Sequence, residues 1–148
     1  MWYWRYRRNI ICAPELHNGD IVVYDVPFIH EIEIKRSKSD LWNGEARKDK
    51  HASYLRGRYN FGTNGMPNKF SICVPINLQE TAREWVKKTN PKYGLISFAT
   101  DNIYDVWIMK SAKFIHTDID KRFNHSLMRK LSSMAVENYA DKYMRTPE

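Results

Sequence analysis

In the run His30-Glu31-Ile32-Glu33-Ile34-Lys35, the charged Glu31, Glu33 and Lys35 alternate with the apolar Ile32 and Ile34. That is the period of a strand, so Ile32 and Ile34 face one side of a sheet and Glu31, Glu33 and Lys35 the other. Upstream, Asp20-Ile21-Val22-Val23-Tyr24 reads as a second strand, with Asp25-Val26-Pro27-Phe28 as the turn between them. A symmetric hairpin centred between Val26 and Pro27 sets Asp20 directly opposite Glu33, on one face. Directly opposed residues keep their Cβ atoms about 4.5–5.5 Å apart, close enough for two carboxylates to share one divalent ion. A bulge or an odd loop would shift the register by one and undo this pairing.

Taken alone, Glu-x-Lys more often marks a solvated amphipathic strand than a site. The wider chain shifts that balance. It carries a net charge of +7 over 148 residues, which favours a polyanionic partner, nucleic acid first. The length suits one domain with its own core. Cys12 and Cys73 form no Cys-x-x-Cys and have no histidine at zinc spacing, so neither a disulfide framework nor a structural zinc is expected. No apolar run reaches transmembrane length, and the opening Met-Trp-Tyr-Trp-Arg-Tyr-Arg-Arg lacks an apolar h-region. The expectation is a cytoplasmic protein with no membrane contact.

Residues 1–8 interleave aromatics with arginines. They could stack on bases and grip phosphates, but the reading favoured here is a core edge with snorkelling arginines. Asn9 to Leu16 starts as a strand that Pro14 confines to an edge or a bulge. Glu15 is a further acid near Asp20, read as a surface charge rather than a ligand. His17-Asn18-Gly19 reads as a turn. Beyond Lys35, Ser39 suits an N-cap and Asp40 a first helical turn, predicting a helix from Asp40 to Leu55 weakened at Gly44. Leu41, Ala52 and Leu55 are its apolar points, and Arg47, Lys48, Lys50 and His51 make it basic. That basic face is either solvated or in contact with phosphates. Residues 55–69 read as a long loop, a backbone clamp through Arg56 and Arg58 or simply disordered.

Phe70 to Val74, a helix over 78–88 capped by Asn77, and Tyr93 to Ala99 form strand, helix and strand. This order predicts a right-handed crossover and a parallel pair. Tyr104 to Met109 and Ala112 to Ile115 read as further short strands. Lys121 to Tyr143 is the longest helix, with Leu127, Met128, Leu131, Met134, Ala135 and Tyr139 as a stripe for the core or a subunit contact.

The strings GDIVVYD, EIEIKRSKSDL, RKDKHASY, FSICVP and YGLISF, in this order, resemble the PD-(D/E)xK nuclease superfamily. The likeness is nearest to its MmcB-like DNA-repair branch and related phage proteins, and it covers roughly Gly19 to Phe98. Gly19 stands where the motif's name has proline. The resemblance implies an α/β fold with a restriction-endonuclease-like core, a mixed central β-sheet flanked by helices, in a single domain over 1–148. It implies Asp20 and Glu33 as metal ligands with the carbonyl of Ile34, and Lys35 as the catalytic lysine. The cofactor would be Mg²⁺ or Mn²⁺, since an oxygen-only site suits hard ions that keep several waters. The expected activity is metal-dependent hydrolysis of DNA phosphodiester bonds, in repair, recombination or phage–host conflict. Arg47, Lys48, Lys50, His51, Arg56 and Arg58 would hold the nucleic acid. RNA as substrate, a non-catalytic nucleic-acid binder with this fold, and a homodimeric Holliday-junction resolvase stay open as alternatives.

Overall fold

A computed structural model describes residues 11–16, 19–57, 66–102, 104–119 and 121–143. The aromatic and arginine-rich residues 1–8, the turn at 17–18, Arg58 and most of the 55–69 loop lie outside them, as do the side chains of Arg122, Tyr139 and Lys142. Six strands form one mixed sheet in chain order: β1 (Ile11–Leu16), β2 (Gly19–Asp25), β3 (Phe28–Ile34), β4 (Lys69–Pro75), β5 (Gly94–Phe98) and β6 (Val106–Lys110). The first three make an antiparallel meander. β3, β4 and β5 run parallel, and β6 returns antiparallel to β5. The helices are α1 (Lys50–Arg56), α2 (Gln79–Thr89) and α3 (Lys121–Tyr143). No helix among the described residues is long and apolar enough to cross a membrane.

The hairpin adopts the expected turn, with Asp25 paired to Phe28 and Val26–Pro27 in cis. β1 is an edge strand that carries Pro14, and Glu15 beside it has φ 47°. Pro14 removes one ladder donor, which suits an edge. α2 supplies the crossover from β4 to β5 and buries Ala82, Trp85 and Val86 against Phe70, Ile72, Val74 and Leu95. The register links these strand residues to Glu31, Glu33 and Val22, so they share one sheet face. Leu127 of α3 packs on that same face, with Ala13, Val22 and Ile29. The opposite face carries Cys12, Ile21, Val23, Ile32 and Ile96. Cys12 is buried, and burial pushes the Cys73 thiol up to about 12.

Several elements depart from the sequence expectation. The segment 40–55 is not one helix. It runs as a π turn over Asp40–Gly44, a 3₁₀ turn over Glu45–Arg47, an extended residue at Lys48 (φ −72°, ψ 125°), and then α1. Ser39 makes no capping bond; the Oγ of Ser37 accepts the amide of Asp40 instead, at 3.0 Å. Leu55 is left largely exposed, while His51 and Tyr54 turn inward. Residues 112–115 form no strand, because their amides bond to different loops: Lys113 to the carbonyl of Lys92 and Ile115 to that of Asn68. In the α3 stripe, read as core or a subunit contact, Leu127 and Leu131 pack on the sheet and Met128 is 57% exposed. Asn77 caps no helix; it sits inside a 3₁₀ turn that precedes α2.

On the face away from α2, His30 Nε2 and Ser71 Oγ lie 2.8 Å apart. Burial, with the charge of Lys69 behind it, pulls the His30 pKa from 6.5 down to about 3. The unfolded chain therefore takes up this proton well before the folded one does. Stability is whole above pH 6.5 and falls as pH drops from 6.5 toward 3, by on the order of 1 kcal/mol per pH unit from this group. Urea melts at pH 7 and pH 5 are expected to show a larger loss for the wild type than for His30→Gln. Equal losses would mean that His30 is not the titrating group.

Candidate active site

Glu33 is the penultimate residue of β3, and Lys35 stands one residue past its end. The amide of Lys35 donates to the carbonyl of Cys73 at 2.9 Å, which carries the sheet direction through the motif. As the alternation requires, Glu31, Glu33 and Lys35 share a face. That face is the one the helices cover, so these charges are buried rather than solvated: Glu31, Glu33 and Glu45 are 2%, 1% and 0% exposed.

Burying charges in this way demands close partners. Lys35 Nζ lies 3.0 Å from Glu33 Oε2 and 3.0 Å from Glu45 Oε2. Lys50 Nζ reaches Glu31 at 2.7 Å, Glu33 at 2.5 Å and Glu45 at 3.3 Å. Lys48 Nζ lies 3.2 Å from Glu33 and 2.8 Å from Glu45. Three carboxylates thus interleave with three ammoniums. Around them, Tyr54 donates its hydroxyl to Glu31 Oε2 at 3.0 Å. His51 bridges Glu45 Oε1 (2.9 Å) and the Tyr93 hydroxyl (2.8 Å). The floor is aromatic: His51 meets Phe70 and Trp85 edge-on, each at 5.4 Å.

The broken helix is what makes this convergence. On a straight helix, positions 48 and 50 project about 160–200° apart, so Lys48 and Lys50 could not both reach Glu33. The extended residue at Lys48 resets the rotation, and both side chains then turn to the same acid.

Burial alone would lower the Lys35 amine, but its hydrogen bond to Glu33 and the charge of Glu45 outweigh that and hold it above its ordinary value. Lys50 is raised likewise, burial being overcome by Glu31 and Glu45. Burial would raise Glu45, yet the bond from His51 and the neighbouring lysines hold it well below the usual carboxylate range. Glu31 goes the other way: its burial prevails over Lys50, and its pKa is raised. Tyr54 is pushed up by burial and then by Glu31, so it stays a donor.

Asp20 is exposed, and its Oδ2 accepts the amide of Ile34 at 2.7 Å. The hairpin has the expected register, but its ladder runs only as far as Ile21 opposite Ile32. Asp20 and Glu33 are therefore not a ladder pair. The reason lies at Gly19, where a Cβ would stand 2.7 Å from Glu31 Cγ and 3.3 Å from Val22 Cγ2. Three residues of extended chain would span about 10 Å, so the strand bends at its start. The bend tucks Gly19 beside Glu31, a position closed to proline and alanine alike, and lets the Asp20 carboxylate stand in for a backbone acceptor on β3.

Of the residues singled out from the sequence, Glu33, Lys35, Lys48, Lys50 and His51 come together, and Asp20 and Ile34 meet at the adjoining strand end. Arg47 and Arg56 are exposed. His51 is buried and Lys50 nearly so, which turns both away from the surface role expected of them. Glu45 was not foreseen. Its only signal is an acid that opens the charged run Glu45-Ala46-Arg47-Lys48-Asp49-Lys50. Among the described residues, no three of His, Cys, Asp and Glu gather as metal ligands; the ammoniums stand between the acids. No protein-family model, curated protein or solved structure matches the chain.

Proposed function

We propose that the chain is a metal-dependent endonuclease that hydrolyses DNA phosphodiester bonds. One observation carries this reading: Lys35 Nζ touches Glu33 Oε2 at 3.0 Å at the very strand end where Asp20 grips the Ile34 amide. Asp20, distant in sequence, thus lies against the backbone of the residue between Glu33 and Lys35, on a chain with a +7 charge.

The donor set fits a hard divalent ion, because every candidate ligand is oxygen: Asp20, Glu33 and the carbonyl of Ile34. Both Glu33 oxygens are held by ammoniums, so an ion enters only as a lysine withdraws. When bound, Mg²⁺ or Mn²⁺ would lower the pKa of a coordinated water and neutralise charge building on the phosphate. The chain's own contribution is narrower. Lys35 stays an ammonium at neutral pH, so it donates to the attacking water or to the developing phosphate charge rather than removing a proton. The exposed Arg47 and Arg56 are free to meet the backbone beside it.

The runner-up is a nucleic-acid binder without catalysis, favoured by one fact: the three acids and three lysines already neutralise one another. A panel of duplex, single-stranded and four-way-junction DNA and of RNA, each with Mg²⁺ or EDTA, separates the two. Cleavage of DNA in Mg²⁺ alone is the expected result. Binding that ignores EDTA, with every substrate left intact, would favour the binder.

A further inference from the structure

The ammonium of Lys48 lies 3.2 Å from Glu33 Oε1, 3.2 Å from Glu33 Oε2 and 2.8 Å from Glu45 Oε2. Three oxygens of two buried acids converge on one cation. This cation differs from its neighbours: the Lys35 and Lys50 side chains are 8% and 9% exposed, and that of Lys48 is 41%. Lys48 alone can leave for water without stranding its own charge in the interior. Its backbone is extended between a 3₁₀ turn and α1, so no helix fixes the direction of its side chain. A second observation concerns the acid. Glu45 Oε2 is fully buried and touched by two ammoniums, yet takes a well-formed hydrogen bond from neither. Such a contact is ionic rather than directional, and a metal ion satisfies it as well as an amine does.

We infer that Glu33 and Glu45 form a divalent-cation site in which the Lys48 ammonium is the resident occupant, so that metal entry and Lys48 release are a single exchange. The inference rests on the metal-dependent reading for its use, and it adds Glu45 to the acids that the motif supplies. Two carboxylates suffice, since Mg²⁺ and Mn²⁺ retain most of their waters. The charge balance gives the exchange a purpose. Three acids and three ammoniums cancel, whereas trading one ammonium for a divalent ion leaves one net positive charge and frees a lysine at the surface. Both changes attract a phosphodiester, so the site becomes receptive to nucleic acid only once it is loaded.

The test is Mn²⁺ binding by the full chain, read as loss of the free-ion EPR signal, with circular dichroism as the fold control. Lys48→Gln removes the competing charge and is expected to tighten Mn²⁺ binding about tenfold. Lys48→Arg keeps the charge and is expected to match the wild type. Lys48→Gln combined with Glu45→Gln is expected to lose the gain. Unchanged or weaker affinity in Lys48→Gln overturns the exchange, as does a gain that survives the loss of Glu45. The two proposals fail separately. Mn²⁺ affinity that responds to Lys48, without cleavage of any substrate, keeps the exchange and removes the nuclease. Cleavage with an affinity blind to Lys48 does the reverse.

Discussion

Glu33→Gln is expected to lower Mg²⁺-dependent nicking of supercoiled plasmid by roughly 10²–10³-fold, the usual loss when one preorganised electrostatic group leaves a reaction centre. Lys35→Ala is expected to lose a similar factor. The two variants act on one contact, the 3.0 Å pair at the end of β3, from its two sides. Gln preserves the shape of Glu33 and removes only the charge that would hold an ion. The fold should tolerate this, because Lys48 can turn outward once Glu33 no longer attracts it. A gel-shift assay in EDTA should find DNA binding largely kept, since Arg47 and Arg56 are exposed and take no part in the buried network. Wild-type nicking by either variant would remove Glu33 and Lys35 from the chemistry.

Lys50→Met is the substitution expected to hurt the fold most, by about 3–5 kcal/mol, the usual result of stripping one partner from a buried ion pair. Lys50 is 9% exposed and holds Glu31 at 2.7 Å and Glu33 at 2.5 Å. Without it, Glu31 keeps a hydrogen bond from Tyr54 but no ammonium. Methionine is close to lysine in length and apolar stem, so lost packing is a small part of the effect, and the ammonium's approach to the Phe70 ring at 5.2 Å is lost with the charge. Adding Glu31→Gln removes the stranded charge while leaving the Tyr54 bond and the close approach at Gly19 in place. Urea melts should therefore show the double variant regaining most of the loss. A double variant no more stable than Lys50→Met would mean that charge balance does not govern this cluster.

Strand periodicity made the sheet legible. Alternation in Glu31-Ile32-Glu33-Ile34 and a proline turn are enough to fix the meander and its register. The strand, helix and strand order from Phe70 onward is enough to give the parallel pair. What stayed hidden has two physical causes. A helix reading assumes one continuous rotation, and local propensity does not report the break at Lys48. The sequence also marks Glu31 and Glu33 as polar and hence solvated, whereas the lysines that bury them lie 15–19 residues away. Glu45 was illegible for the same reason, since its partners are set by that break. At Asp20 the hairpin rule held along the ladder and failed at the last step, where Gly19 yields to the Glu31 side chain.

The role proposed for the buried acid at position 33 is to serve a metal ion in cutting a phosphodiester. It is tested most directly by titrating Mg²⁺ into a supercoiled-plasmid nicking assay, with the wild type and Glu33→Gln at equal folded concentration. Nicking by the wild type is expected to rise with Mg²⁺, saturate and stop in EDTA, with Glu33→Gln near background throughout. Nicking that persists in EDTA, or equal rates for the two proteins, would contradict it.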